Sequence, residues 1–381
     1  MSSWPAAPLG AVCDVVGGGT PSREKPEFFG GEIPWITPTD VTRNNGRYLD
    51  RGAETITELG LKSSSAKLLP ARSVLLTSRA TIGFTAINTV PVSTNQGFAS
   101  FVCGPEVWPE FLAYWLEWSR DYLIGLASGA TFKEINKSTL RKLSIPLPPL
   151  KEQRRIVGLL DRAAEIRRST DAARSRARAI IPALFLDTFG DPATNPKGWP
   201  MIDFESAADD ITRFVPKIMR RDYAASGSYP IYDQGQVEVP GYTDDQGSTY
   251  STSEPVILFG DHTRVFRLVS GRFARGADGV RLFRTTPGVA PDFLRTYLEL
   301  HGLPNAGYSR HYRFLKEVRV TLPPLPLQTA FAEQVQRLEA LARVLDAACA
   351  KAEAMAAALS AEVFHGRPTE EKSQAISSHW A

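Results

Sequence analysis

Apolar side chains recur at alternating steps of four and three from Phe331 to Val363, through Val335, Leu338, Ala342, Leu345, Cys349, Ala352, Ala356 and Leu359. Steps of this kind place every apolar residue on one helical face, and held over such a length they predict the a/d seam of a coiled coil. A less regular seam passes through Ile156, Leu160, Ala163, Ile166, Thr170, Ala173, Ala177, Ile180 and Leu184, with one shortened step, a local stammer. Gly158 and Pro182 weaken this first arm, and Pro182 is expected to kink or end its last turns. Each arm follows a Leu-Pro-Pro-Leu motif, at Leu147–Leu150 and at Leu322–Leu325. Proline has no amide to donate and clashes with the preceding turn, so the pair marks an extended lead-in rather than helix. The motifs lie 175 residues apart (147 and 322), and so do the closing phenylalanines (189 and 364). One register thus holds through both arms, and the chain contains two units, each a globular segment followed by a long helix.

The arms differ in charge. Between Lys151 and Leu186 nine Lys or Arg stand against four acids, and between Gln328 and Phe364 three bases stand against five acids. Apolar burial and opposite charge both favour packing the arms on each other, so an antiparallel pair is expected. At about 1.5 Å per residue an arm is roughly 50 Å long, which makes it a spacer between two globular segments. Core helices of a globular domain average only about 11–12 residues, which argues against an ordinary capping role.

The globular segments predict an α+β class. In the first, strand-like runs at 33–36, 73–77, 82–87 and 98–102 are bounded by turn residues, and Trp108–Leu126 is expected to be helical. In the second, shorter and more interrupted runs at 229–232, 255–259, 264–269 and 279–284 precede a helix starting at Pro291-Asp292. That helix matches the one at Pro109-Glu110 at a spacing of 182, so the two segments share one layout. The expected boundaries are 1–144 for the first globular segment, 145–190 for the first repeated arm, 191–319 for the second segment, 320–367 for the second arm, and 368–381 for a polar, frayed tail. The whole is α+β: two pseudo-repeated globular domains separated by a long antiparallel two-helix coiled coil.

Bulk properties bound the function. Over 381 residues, 43% are hydrophobic and 22% charged, as in an ordinary globular protein. No apolar run is long enough to span a membrane, and the first residues lack the basic and apolar regions of a signal peptide. Cys13, Cys103 and Cys349 are scattered and form no C-x-x-C pattern, which suits a reducing cytoplasm. A net charge of +3 permits nucleic-acid binding without arguing for it.

Chemistry is scarce. Gly17–Thr20 lacks the spacing of a phosphate loop. Asn195-Pro196 only faintly echoes an amino-methyltransferase box, and Pro291-Asp292 with Glu299 is explained by helix initiation. No His or Cys cluster has metal-ligand spacing, so neither a metal nor a cofactor is expected in this chain, and it reads as non-catalytic. What remains are basic and amide-bearing loops beside aromatics. In the first segment these carry Thr20, Ser22, Arg23 and Lys25; Arg79 and Thr81; Asn95 and Gln96; and Lys133, in the loop Thr131-Phe132-Lys133. In the second they carry Arg213, Lys217, Arg220 and Arg221; Gln234; His262, Thr263 and Arg264; and Arg310, His311, Tyr312, Arg313 and Lys316. Arg can bond a guanine edge and Asn or Gln an adenine edge in bidentate fashion, while Lys and Thr suit phosphates. Any one loop is as well explained by a solvated surface. The set, on two matched modules at the ends of a spacer, favours double-stranded DNA.

With these elements in order, the chain resembles the specificity subunits of type I restriction–modification systems. The resemblance is carried by G-G-T-P-S (18–22), I-P-W-I-T-P-T-D (33–40), T-S-R-A-T-I-G (77–83), T-N-Q-G-F (94–98) and P-L-P-P-L-K-E-Q-R-R-I-V (146–157). In the second half it rests on Y-P-I-Y-D-Q-G (229–235), F-G-D-H-T-R (259–264), G-A-D-G-V (276–280) and the second L-P-P-L-x-x-Q (322–328). It implies two target recognition domains that each read half of a bipartite, asymmetric DNA site. The helices would act as a ruler and as the docking surface for two methyltransferase (modification) subunits. Those partners would carry S-adenosylmethionine, and a nuclease/translocase (restriction) subunit would join them. Pro326-Leu327 stands where the first copy has Lys151-Glu152, a departure between the two docking faces. Two alternatives stay open: a protein-interaction adaptor on a coiled coil, and a methylation-only specificity factor without a nuclease.

Overall fold

The computed structural model describes residues 4–44, 46–129, 133–276, 279–305, 307 and 309–364, and only the backbone of Ala177 and Arg178. The expectations for Thr131-Phe132, for Ala177 in the seam, for part of G-A-D-G-V and for the tail lie outside what is described. The chain divides into unit 1, Met1–Arg168 with Ala348–Ala381, and unit 2, Ser169–Ala347. Each arm helix therefore contributes to both units.

In unit 1 a five-stranded sheet runs in the order Cys13–Gly17, Phe98–Cys103, Val74–Thr77, Thr85–Asn88, Tyr48–Leu49. Its inner strands are apolar on both faces: Val74, Leu75 and Leu76 are all fully buried, as expected of strands covered on both sides. A three-stranded sheet of Glu54–Ile56, Phe29–Ile36 and Ser93–Thr94 lies in the same unit. The helix expected over 108–126 is two helices, Pro109–Trp118 and Arg120–Gly125, joined at Ser119.

Unit 2 repeats the plan. Its sheet begins Ala208–Asp210, Val280–Thr285, Tyr250–Gly260, Phe266–Gly276, the same order as the first four strands of unit 1, and continues to Tyr229–Tyr232 and Gly241–Thr243. The expectation of short, interrupted strands is corrected here, because Tyr250–Gly260 and Phe266–Gly276 are each 11 residues long. Their pairing shifts register between Thr252 and Val256, so the polar residues 251–254, outside the run expected at 255–259, belong to the bulged half of a long hairpin.

The arms are helices at Leu150–Phe189, 40 residues, and Leu325–Val363, 39 residues. Both start on the last residue of Leu-Pro-Pro-Leu, so the repeat register is also the helix register. In unit 1 the start of the first arm (Ile156, Val157, Leu160) shares a core with the end of the second (Leu359, Val363, Phe364). In unit 2 the end of the first arm (Leu184, Phe185, Phe189) shares a core with the start of the second (Phe331, Val335). The pairing is antiparallel in each unit and nearly symmetric. Phe364 meets Phe111 at 5.4 Å between ring centroids, and its repeat counterpart Phe189 meets Phe293, the counterpart of Phe111, at 4.9 Å.

Along the arms, Ala163, Leu338, Ala342 and Leu345 are partly buried and Thr170 and Ala352 are buried. Two seam assignments are corrected: Ile166 is 43% exposed and Ile180 is 47% exposed. A straight helix of 3.6 residues per turn drifts off a 3.5-residue repeat, and Ile181 rather than Ile180 joins the core. Pro182 does not end the helix, which runs on to Phe189. Opposite charge operates locally, since Arg174 of the first arm bonds Asp346 of the second, whereas Arg155 and Arg168 bond Glu152 and Glu165 of their own helix, each at 2.7 Å.

A duplicated glutamine ties each arm to its globular segment. Gln153 and Gln328, 175 residues apart, are both fully buried. The Gln153 carbonyl oxygen accepts from Trp108 N at 2.8 Å, and its amide donates to Glu106 O at 2.9 Å and Pro148 O at 2.8 Å. Gln328 accepts from Ala290 N at 2.8 Å and donates to Gly288 O at 3.1 Å and Pro323 O at 2.8 Å. Trp108 and Ala290 are the N-caps of the helices at Pro109 and Pro291. One side chain thus joins the proline lead-in, the arm and the start of the globular segment's helix. Leucine at either position leaves the three backbone groups unpaired in an apolar setting. We expect Gln153→Leu or Gln328→Leu to cost about 2–4 kcal/mol in denaturant unfolding; a loss below about 0.5 kcal/mol, the usual size of a surface substitution, contradicts the assignment.

Candidate nucleic-acid interface

Three loops of unit 1 are stitched together by backbone bonds. Ser78 N donates to Gly97 O at 2.8 Å, Ile135 N to Ser78 O at 3.0 Å, and Ala80 N to Lys133 O at 3.3 Å. The glycine-rich loop joins them, with Gly19 N donating to Thr94 O at 2.9 Å and the Thr20 hydroxyl bonding the Gln96 side chain. Glycine is required here: a Cβ on Gly18 would lie 1.9 Å from Asn95 O. Trp35, buried beneath, donates its indole N–H to Gly19 O at 3.0 Å. Thr20, Arg79, Thr81, Asn95, Gln96 and Lys133 therefore come together at one locus, with Thr81, Gln96 and Lys133 exposed. Asn95 turns its side-chain oxygen back to Gly97 N at 2.9 Å, so its amide nitrogen is the group left for a ligand.

Arg23 stands apart and is already engaged. It bonds Glu54 at 2.5 and 3.1 Å and lies over Phe29 and Trp35, 4.6 and 5.1 Å from the ring centroids. The Glu54 hydrogen bond holds its pKa above the ordinary arginine value. Ser22 and Lys25 are exposed beside it, with Lys25 5.2 Å from the Phe28 ring centroid.

Unit 2 carries the same weave. Asp261 N donates to Gly279 O at 2.7 Å and His311 N to Asp261 O at 2.9 Å, with Gly279 standing 182 residues after Gly97. The Asp261 carboxylate accepts from Tyr312 N at 2.7 Å. Gln234 closes the fourth side by accepting from His262 N at 3.2 Å. Gly279, at φ 81°, lies so near Gln234 and His262 that a Cβ would meet both within 2.8 Å. Gln234, His262, Thr263, Arg264 and Tyr312 are brought together, all of them half-buried. Arg264, at φ 60°, donates to Leu303 O at 3.2 Å. Arg310, Arg313 and Lys316 are exposed; Arg313 stacks on Phe314 at 4.5 Å, and Lys316 lies 3.8 Å from Glu205.

Arg281 was not singled out by sequence and is central here. Its guanidinium lies 3.6 Å from the Tyr312 ring centroid and bonds Asp210 at 2.9 Å. Burial works to raise the Asp210 pKa, but bonds from Thr212 and Arg281 outweigh it and hold the carboxyl below its usual range. Burial, reinforced by Asp210, raises the Tyr312 phenol. An arginine on an alternating strand carries no local sign of such a role.

Arg213, Lys217, Arg220 and Arg221 form a separate, exposed ribbon at the rim. It is pinned where Lys217-Ile218 pairs with Arg275-Gly276 and where Tyr223 lies over Gly276. Among the described residues no group of His, Cys, Asp and Glu is placed to hold a metal ion.

His311 is corrected from interface to core. It is fully buried, with Nδ1 2.9 Å from Asp261 O, and it occupies the place in the weave that Ile135 fills in unit 1. We expect His311→Ile to change stability by about 1 kcal/mol, the scale of one hydrogen bond. Duplex binding should stay within about twofold in a titration; a tenfold loss, about 1.4 kcal/mol, would return the ring to the interface.

Residues 1–170 match the family described as the type I restriction modification DNA specificity domain. The MjaIX specificity subunit of Methanocaldococcus jannaschii is 33% identical over 223 residues, 56% of this chain and 49% of that protein. The EcoR124I/EcoR124II specificity subunit of Escherichia coli is 32% identical over 161 residues, 40% of this chain and 39% of that protein. The chain thus spans about half or less of the length of these relatives. The crystal structure of a type I S subunit from M. genitalium superposes with a TM-score of 0.67 at 14% identity, covering 95% of this chain and 96% of that one. A chain from a structure of a type I R-M system does so at 0.55 and 19% identity, covering 96% and 98%. Residues 1–170 are thus similar to the type I restriction modification DNA specificity domain, and the chain as a whole has the fold of the solved type I S subunits.

Proposed function

We propose that the chain is the non-catalytic DNA-recognition subunit of a type I restriction–modification complex. Each unit reads one half of a bipartite, asymmetric duplex site, and the paired arms set the spacing between the halves. The observation that carries this reading is the duplicated loop weave, built once on each unit at the same place in a repeated sheet but faced with different side chains. Like scaffolds with unlike faces suit unlike half-sites.

The arms also offer docking faces. Leu159 and Met355 are exposed on the arms in unit 1, as are Leu341 and Val344 in unit 2. Such apolar side chains suit a protein partner, and one face per unit fits two modification subunits. S-adenosylmethionine would be held by those partners, a restriction subunit would complete the assembly, and it would work in the cytoplasm. No helix among the described residues is long and apolar enough to cross a membrane.

The test is to co-express the chain with a modification subunit and map methylated adenines. Removing seven residues from the middle of each arm, two turns, keeps the seam in phase and shortens the rod by about 10 Å. The gap between half-sites should fall by about three base pairs at 3.4 Å each, with both half-sites unchanged. Altered half-sites at an unchanged gap contradict the ruler. Arg313→Ala tests the second reader: a phosphate contact there predicts a salt slope smaller by about one and a uniform loss across sequences, while an undiminished slope and affinity remove Arg313 from the interface. Affinity for all duplexes that does not respond to salt would favour the adaptor reading instead.

A further inference from the structure

Just past the edge strand of the repeated sheet, the second unit carries side chains where the first has glycines. The short helices Leu9–Val12 and Phe204–Ala207 open the two units, 195 residues apart, and each runs straight into an edge strand. Counting from them, Gly18-Gly19 of unit 1 correspond to Arg213-Phe214 of unit 2. Side chains have no room in unit 1, where a Cβ on Gly18 would lie 1.9 Å from Asn95 O and one on Gly19 2.3 Å from Ala66 N. In unit 2 the same position projects outward, and Phe214 is 60% exposed.

The projection is built rather than loose. Ile211 and Val215 on either side of the turn are buried at 5% and 1% exposure. Phe214 N donates to Ile211 O at 3.0 Å, and Thr212 bonds both Asp210 and Leu282 N, each at 2.9 Å. Arg213 covers one face of the ring, 4.6 Å from its centroid. Met219 is 39% exposed on the same ribbon and is followed by Arg220 and Arg221. A single exposed phenylalanine is unremarkable on a protein surface. A fixed one, backed by arginine, in a rim ribbon with four bases between 213 and 221 and no acid, tied through Arg275 to Val280 next to Gly279 of the weave, has a surface suited to a polyanion with flat apolar rings.

We propose that Phe214 is a wedge that stacks on a base at a step of the second half-site, opening that step while the Arg213 and Arg220 cations hold the flanking phosphates. Aromatic and aliphatic wedges on basic elements unstack and kink duplexes in this manner, and stacking tolerates sequence because every base has a π-face. Unit 1, with glycines at this position, makes no such insertion, so the distortion is confined to one half of the site. This inference rests on the DNA-reading function.

The experiment uses the chain assembled with its modification subunits and duplexes of the mapped site carrying 2-aminopurine at single positions through both half-sites. The wild-type complex should raise fluorescence at one step of the second half-site. Phe214→Ala should abolish that signal and weaken binding about tenfold, within the range measured for losing a base–aromatic stack, with an unchanged salt slope. Phe214→Trp should retain both signal and affinity. Arg213→Ala should instead lower the salt slope by about one. Phe214→Ala with wild-type fluorescence and affinity, or a signal from the first half-site alone, overturns the wedge. Failure of the wild-type complex to bind or methylate DNA would overturn the underlying function instead, and the two failures are told apart by the wild-type lanes.

Discussion

The molecule depends on burying the ends of two long helices in two globular cores. An isolated helix of this length, with an apolar seam on one side and charge on the other, has no fixed place until that seam is covered. Phe185, Phe189 and Phe331 in unit 2, and Ile156, Val363 and Phe364 in unit 1, cover it with side chains that are 0–6% exposed. Each such side chain contributes roughly 1.5–3 kcal/mol. The contacts are apolar and non-directional, so they need a second device to fix orientation. Gln153 and Gln328 supply it, because a buried amide with three partners tolerates one geometry only.

The woven loops inherit that order. In both units a glycine carbonyl, a turn amide and a residue from the segment before the arm are linked in series, so the loops present their faces as one surface. Duplication keeps this scaffold while the exposed positions diverge. Gln96 and Lys133 mark the first surface; Arg281 stacked on Tyr312 marks the second. Buried positions diverge too, provided the bond is kept. Ile135 and His311 differ in chemistry but use the same backbone amide.

Much of the fold was legible because periodicity and repetition are written in residue spacing. The arms, their common start at Leu150 and Leu325, and the α+β class with matched segments all followed from it. What failed did so for physical reasons. Ile166 and Ile180 satisfy a 3.5-residue template that a real helix does not hold over 40 residues. Residues 251–254 hid the start of a bulged strand because polar residues on a solvated hairpin look like a loop. His311 sat in a basic cluster, and only the backbone weave shows that its ring points inward. Phe214 and Arg281 were invisible for the opposite reason: exposure of an aromatic, or stacking of an arginine across strands, depends on which neighbours the sheet supplies. Of the residues expected at a DNA interface, sequence named loops that the structure brings together, but not which side chains within them are exposed.

On the proposed function, the two globular segments are interchangeable readers mounted on equivalent arms. This is tested most directly by replacing residues 204–318 with a copy of 9–143, joined at matching repeat positions, and mapping methylated adenines made by the assembled complex. Interchangeable readers would give a site whose two halves are the same sequence, inverted, at the original spacing. An unchanged asymmetric site, with the original second half still read, would contradict it.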